Sequence, residues 1–308
     1  ISYFLRNEPD EYHTIIHQLY LISIYQIIKT MTRVLLPTDF SKNSLTAIRY
    51  ALTLYKNIKC TFYLLNSYMP PVYHTEYLMG SPAQIGLGDI VRENSINDLK
   101  DLKKKLQKDF ENPLHTFITH SALNVLSSEV TRTVETEGID IVIMGTQGAT
   151  GAKEILFGTN TVHVIKNAKC PVLVIPSGFE YEAPEQILFP NDFEIELDKN
   201  SLSQLLKIVN THVSQVNVMH VFTGDELNPV QLKNKEKLEK VLSKNALFHE
   251  VSSNEIIAAI NEFQVKQKIN MLVMVQNKHT FLERLFIEPV IKKIGFHVTI
   301  PFMVIPQL

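Results

Sequence analysis

The sequence predicts an α/β fold made of two tandem doubly wound domains, each with a five-stranded parallel sheet. Three observations carry this. From Arg33 onward, short apolar runs rich in β-branched residues alternate with segments whose apolar residues fall at helical spacing, the order that a parallel sheet with crossover helices requires. The pattern then repeats: VLLPTDF at Val34–Phe40 returns as ILFPNDF at Ile187–Phe193, and PVLVIP at Pro171–Pro176 returns as PFMVIP at Pro301–Pro306. Finally, 308 residues suffice for two domains of about 150 residues each.

In order, RVLLP is strand one, SLTAIRYALTLYKN a helix, and CTFYLLNSY strand two. A long loop with a Pro-Pro pair and Gly80 precedes a charged helix expected from about Ile90 to Phe110. HTFITHSA is strand three, LSSEVTRTVETEG a helix, IVIM strand four, TNTVHVIKNA a helix and PVLVIP strand five. The first domain is thus read as 31–178, the linker as 179–186 and the second domain as 187–308. The second copy is shorter, and the missing length is assigned to the counterpart of the 68–89 loop, because VSQVNVMHVF passes quickly to the helix NPVQLKNKEKLEKVLSKN.

Residues 1–30 stand outside the repeat as an N-terminal extension. The segment is too polar and too short to span a membrane, and it lacks the basic start and small-residue cleavage site of a targeting signal. Met31 directly precedes strand one, so the reading is that translation starts there. The alternative is an amphipathic helix docking on the body.

The stretch that carries chemistry is Ile139–Thr161, IDIVIMGTQGATGAKEILFGTNT. A buried strand ends at Met144 and Gly145. Gly148 follows after two residues, and Gly158 with Thr159 after nine more. Glycines let a backbone lie against a bulky anion, and the first amides of the helix that follows point outward with the positive end of its dipole. A phosphate suits that chemistry. Thr159 either N-caps the helix or donates its hydroxyl to a phosphate oxygen, and the nine-residue insert is expected to fold over the ligand. A P-loop is excluded by the absence of G-x-x-x-x-G-K-[ST], and a dinucleotide fingerprint by the late position of the glycines.

The spacing G-x-x-G-(x)9-G-T after a fourth strand resembles the ATP-binding motif of the universal stress protein family, and the likeness extends over nearly everything after Met31. The resemblance implies an adenine nucleotide alpha hydrolase-like fold with ATP in the crevice at the carboxyl ends of the strands. It implies Mg²⁺ shared among the phosphates. In this sequence the matching positions are Pro37, Thr38, Asp39, Met144, Gly145, Gly148, Gly158, Thr159 and Asn160. Asp39 matches the family acid on the ribose and adenine side; its other reading is an N-cap for the helix that begins near Ser41. The family includes ATP binders, some with slow hydrolysis, and members that bind none.

The second copy departs from the motif. Met274–Ile291 reads MVQNKHTFLERLFIEPVI, without glycine and with Glu288 and Pro289 near the Gly158-Thr159 position. A carboxylate there repels an anion, so one nucleotide per chain is expected, with Asp192 a structural cap. Lys153 in the insert reads as solvated, and Tyr68, Tyr73 and Tyr77 either flank the adenine or cover the domain interface. No histidine pair has a metal spacing such as HExxH, and no nucleophile elbow or acid–base pair announces an enzyme.

A net charge of −2 offers no field for nucleic acid, and the clusters DLKKKLQKDF and KNKEKLEK mix signs as solvated helix faces do. Cys60 and Cys170 are far apart, without metal spacing, and read as buried apolar residues of a cytoplasmic protein. The reading is therefore a stress-response protein whose ATP occupancy sets its conformation or partners. A nucleotide-free scaffold and a slow ATPase are the alternatives. Apolar strands five of the two domains are expected to pair as an internal pseudo-dimer, with further pairing of whole chains left open.

Overall fold

A computed structural model describes residues 31–69, 84–146, 157–224, 226–276 and 299–307, with 84–87 as backbone alone. The elements of the first half are β1 (Thr32–Pro37), α1 (Lys42–Leu54), β2 (Cys60–Tyr68), α2 (Gln84–Asp109), β3 (His115–Leu123), α3 (Leu126–Glu137), β4 (Ile141–Gly145), α4 (Thr159–Asn167) and β5 (Val172–Ile175). The second half has β6 (Gln186–Pro190), α5 (Ser203–His212), β7 (Gln215–Phe222), α6 (Pro229–Leu242), β8 (Ala246–Ser252), α7 (Ile256–Lys266), β9 (Met271–Val275) and β10 (Phe302–Ile305).

The strands follow from their sequences. β4 and β5 are buried at every residue, as near-continuous apolar runs between two helical layers must be. The helices start and stop where local chemistry dictates. The Ser41 hydroxyl accepts from the Ser44 N–H and caps α1. Gly138, left-handed at φ 61°, ends α3, and Asn228 with Gln231 forms a capping box on α6 behind Pro229. α2 begins at Gln84, earlier than the expected Ile90, because the amphipathic signal of its first turns is diluted by Gly86 and Gly88.

The ten strands form one sheet in the order β3-β2-β1-β4-β5-β10-β9-β6-β7-β8. The expectation was a five-stranded parallel sheet in each half, with the two fifth strands paired edge to edge. Each half does have five parallel strands in that order, and β5 and β10 pair antiparallel, Phe302 against Val174 and Val304 against Val172, and fuse them into a large mixed sheet. These are the strands PVLVIP and PFMVIP. Helices cover both faces: α1, α2, α5 and α6 pack on one apolar layer, and α3, α4 and α7 on the other. Among the described residues no helix is long and apolar enough to cross a membrane.

One detail of register positions a crevice. β1 pairs with β2 over its full length, from Thr32↔Cys60 to Pro37↔Leu65. With β4 it pairs only at Val34↔Ile141 and Leu35↔Val142. Ladder pairing stops short of the carboxyl ends of β1 and β4, at the point where the chain order switches direction. In open α/β sheets, that is where ligands enter.

Candidate functional site

At this switch point lies a cleft of about 110 Å³, lined by Pro37, Thr38 and Asp39 from the end of β1, Met144 and Gly145 from the end of β4, and Asn160 from the first turn of α4, together with Ser44, Ser67, Leu126 and Thr161. Six of the nine residues singled out in the sequence therefore converge. Gly158 and Thr159 are the two residues directly before Asn160. Gly148, Lys153, Tyr73, Tyr77 and all of the nine-residue insert except Phe157 lie outside the described residues, as do 1–30 and 277–298. The cleft is smaller than the roughly 300–1,000 Å³ usual for whole ligands, with residues 147–156 not counted in its wall.

The floor is a tight turn. Phe40 is left-handed, φ 62°, a conformation that costs a bulky L-residue roughly 1–2 kcal/mol. Two side chains hold it there: the Thr38 Oγ1 accepts from the Phe40 N–H at 3.0 Å and the Asp39 Oδ1 from the Ser41 N–H at 3.1 Å. Ser41, not Asp39, caps α1. The Asp39 carboxylate lies at the exposed cleft rim. Below it, the Asn66 amide donates to the Thr38 carbonyl at 2.8 Å, and the Ser95 hydroxyl donates to Asn66 Oδ1 at 2.7 Å. These buried polar groups brace the turn from β2 and α2.

The opposite wall is set by α4. Gly158 is its N-cap, with no side-chain cap bond, so of the two readings of Thr159 the capping one is corrected: Thr159 is the first helical residue and is exposed. The physical reason is the extended backbone of Gly158, φ −61° and ψ 153°, whose carbonyl accepts the first helical bond from Val162. The Gly158 N–H donates to the Thr146 carbonyl at 2.7 Å. The buried Thr161 hydroxyl lies 3.1 Å from the Gly145 carbonyl and 3.2 Å from that of Thr146. These bonds dock the helix start against the end of β4. Gly145 has a second reason to be glycine, since a Cβ would meet the Asn43 side chain at 3.1 Å.

A third brace holds the β3 side. Glu129 is buried, and its carboxylate receives Arg132, Asn124 Nδ2 at 3.0 Å and His120 Nε2 at 2.7 Å. The Arg132 bonds foremost, then those from Asn124 and His120, outweigh burial and hold its carboxyl down at about 2. Asn124 in turn accepts from the Ser67 hydroxyl through its carbonyl and leads into Leu126, so the cluster sets two residues of the cleft wall. Ser44, Ser67, Leu126 and Thr161 were not singled out in the sequence, because none sits in a motif. The fold alone brings them together.

The second half keeps the turn. Phe193 is also left-handed, φ 57°; Asn191 Oδ1 accepts from the Phe193 N–H at 2.7 Å and Asp192 Oδ1 from the Glu194 N–H at 3.1 Å. Asp192 caps no helix, contrary to expectation: α5 starts only at Ser203, behind Leu202. Instead α6 closes on the turn, with Gln231 Nε2 on the Asp192 carbonyl at 2.8 Å and Asn234 Nδ2 on that of Phe193 at 2.9 Å. Among the described residues no group of three His, Cys, Asp or Glu side chains could hold a metal. Both cysteines are buried and free, with burial pushing each thiol up to about 12.

Residues 30–176 match the universal stress protein family. The universal stress protein MJ0531 of Methanocaldococcus jannaschii is 30% identical over 146 residues, which span 46% of this chain and 81% of that protein. The chain belongs to the universal stress protein family. A second family member from the same organism, MJ0577, is 28% identical over 155 residues, 46% of this chain and 93% of its own length. The structure of a universal stress protein from Archaeoglobus fulgidus matches over 89% of this chain and 96% of its own, with a TM-score of 0.61 at 17% identity. A protein of unknown function from Pseudomonas aeruginosa matches over 89% and 92%, with a TM-score of 0.53 at 12% identity. These last two are likenesses of fold, and they run through both halves of this family member.

Proposed function

We propose that the first half binds an adenine nucleotide, ATP with Mg²⁺, one per chain, and that occupancy of this cleft sets conformation or partner choice in a stress response. The observation that carries the reading is the cleft at the β1/β4 switch point, where an acid and the start of a helix meet over glycine. The charges give the ligand a direction. Asp39 is the one charged side chain on the described cleft wall; a carboxylate repels phosphate and accepts hydrogen bonds from ribose hydroxyls. Phosphate therefore belongs at the other wall, with the amides of Thr159 and Asn160 and the Asn160 side chain, where the helix dipole also favours it.

The donor set on the described wall fits this ligand: hydroxyls, amides and an acid, with no side-chain cage for a cation among the described residues. Mg²⁺ would then be carried by the phosphates and water, its usual habit, and would neutralise their charge. In the second half, Gln231 and Asn234 occupy the turn's carbonyls, and the glycine-free stretch after Met274 offers no phosphate loop. The doubly wound reading, with domains at 31–178 and 187–308, belongs to the same proposal. So does the absence of efficient hydrolysis, since no base stands beside Asp39 on the described wall.

Isothermal titration of Mg-ATP into the nucleotide-stripped full chain, with phosphate release followed in parallel, tests this. The expected result is a stoichiometry near one without multiple turnover. No binding would favour a nucleotide-free scaffold; two sites would overturn the reading of the second half, and sustained phosphate release would make the protein an ATPase.

A further inference from the structure

The second half has lost the motif, yet it supplies part of the wall behind the first half's site. Because β10 runs antiparallel to β5, its amino-terminal end lies at the carboxyl end of β5. That is the end of the sheet at which β1 and β4 open the cleft. The residue one step before the α4 cap is Phe157, and its ring packs on that of Phe302, the first residue of β10, with centroids 5.7 Å apart and planes tilted by 34°. Phe302 is fully buried, and Phe157 and Ile300 both pack on the same apolar layer. Gly158, next in sequence, is bonded to the Thr146 carbonyl. The chain entering α4 is thus held at two consecutive residues, by β4 of its own half at Gly158 and by the second half at Phe157.

Resting on the nucleotide reading above, we propose that Phe302 is a positioning residue for the first half's phosphate wall, acting through Phe157. Gly158 has no side chain to fix its own backbone, and glycine is the residue most free to leave one conformation. An aromatic anchor one residue away supplies the restraint. Aromatic pairs of this geometry add attraction beyond their buried area, and they are directional, so a smaller side chain keeps the apolar layer but loosens the aim of the helix start. The motif-free half is then an integral part of a site it does not itself contain, and the β5/β10 seam is where the two communicate. The contact of Gln276 Nε2 with the Lys166 carbonyl at 3.4 Å ties the far end of α4 to the same half.

The test is a double-mutant cycle on the full chain with Phe157→Ala, Phe302→Leu and the pair, using Mg-ATP and adenosine as probes. Thermal melts confirm that each variant is folded, and Phe157→Leu serves if Phe157→Ala is not. The expected result is that each single variant raises the ATP dissociation constant about three- to tenfold, leaves adenosine binding within about twofold, and that the pair is no worse than the worse single. Equal losses for ATP and adenosine would mean general distortion and would overturn the assignment, as would additive losses or unchanged ATP affinity. A wild-type chain that binds neither probe would instead remove the nucleotide reading itself, and this inference with it.

Discussion

Asp39 and Ser41 stand two residues apart and divide two tasks that the sequence left to one acid. Ser41 accepts from the Ser44 N–H and Asp39 from the Ser41 N–H, so the cap and the rim carboxylate separate by mutation. Ser41→Ala should cost about 1 kcal/mol of stability, read as a lower denaturant midpoint. Asp39→Ala removes one acceptor of the Phe40 turn, a loss of about 0.5–1.5 kcal/mol, and should in addition weaken binding of both ATP and adenosine, which Ser41→Ala leaves unchanged. Lost nucleotide affinity in Ser41→Ala with none lost in Asp39→Ala would contradict this division. Glu129 offers a second residue-level check. Its carboxyl is held at about 2, by Arg132 foremost, below its unfolded value of roughly 4.3. A depressed folded value contributes stability that is complete above the unfolded pKa and is lost as pH falls through the folded one. Glu129→Gln should therefore lower stability by about 1–3 kcal/mol at neutral pH and flatten the loss between roughly pH 4.3 and 2, measured as melting temperature against pH.

At the scale of elements, the strands were legible and several joints were not. β1, β4 and β5 announce themselves because a strand buried on both faces has no use for polar residues, and the recurrence of Pro-x-Asp-Phe marks the end of β1 and of β6. Nothing in that sequence shows that Phe40 and Phe193 turn left-handed, since a bulky residue disfavours it and only the flanking Thr38/Asp39 and Asn191/Asp192 bonds impose it. Pro37, Thr38, Asp39, Met144, Gly145 and Asn160 were readable from a motif with fixed spacing. Ser44, Ser67, Leu126 and Thr161 were not, for they reach the cleft only through α1, β2, α3 and α4. Gly138 shows how a joint can be doubly constrained. It ends α3 at φ 61°, and a Cβ would stand 2.9 Å from Arg33 Nη1, which bonds the Glu137 carbonyl at 2.8 Å. Gly138→Ala should cost about 1–2 kcal/mol through left-handed strain, with the Arg33 guanidinium shifting away from the new Cβ, and a denaturant midpoint indistinguishable from wild type would refute that strain.

For the whole molecule, the decisive joint is the short antiparallel ladder between β5 and β10. It is reinforced away from the sheet: Lys207 Nζ reaches Thr32 Oγ1 at 2.7 Å, His212 Nε2 donates to the Leu54 carbonyl at 2.9 Å, and Tyr50 packs against Tyr181 with centroids 5.1 Å apart. One half is thus mounted on the other through strands, helices and the linker. Because the partners share a backbone, their encounter is intramolecular, at a fixed effective concentration set by the tether. Dilution cannot part them, and the contact of Phe302 with Phe157 is present at whatever abundance the cell sustains.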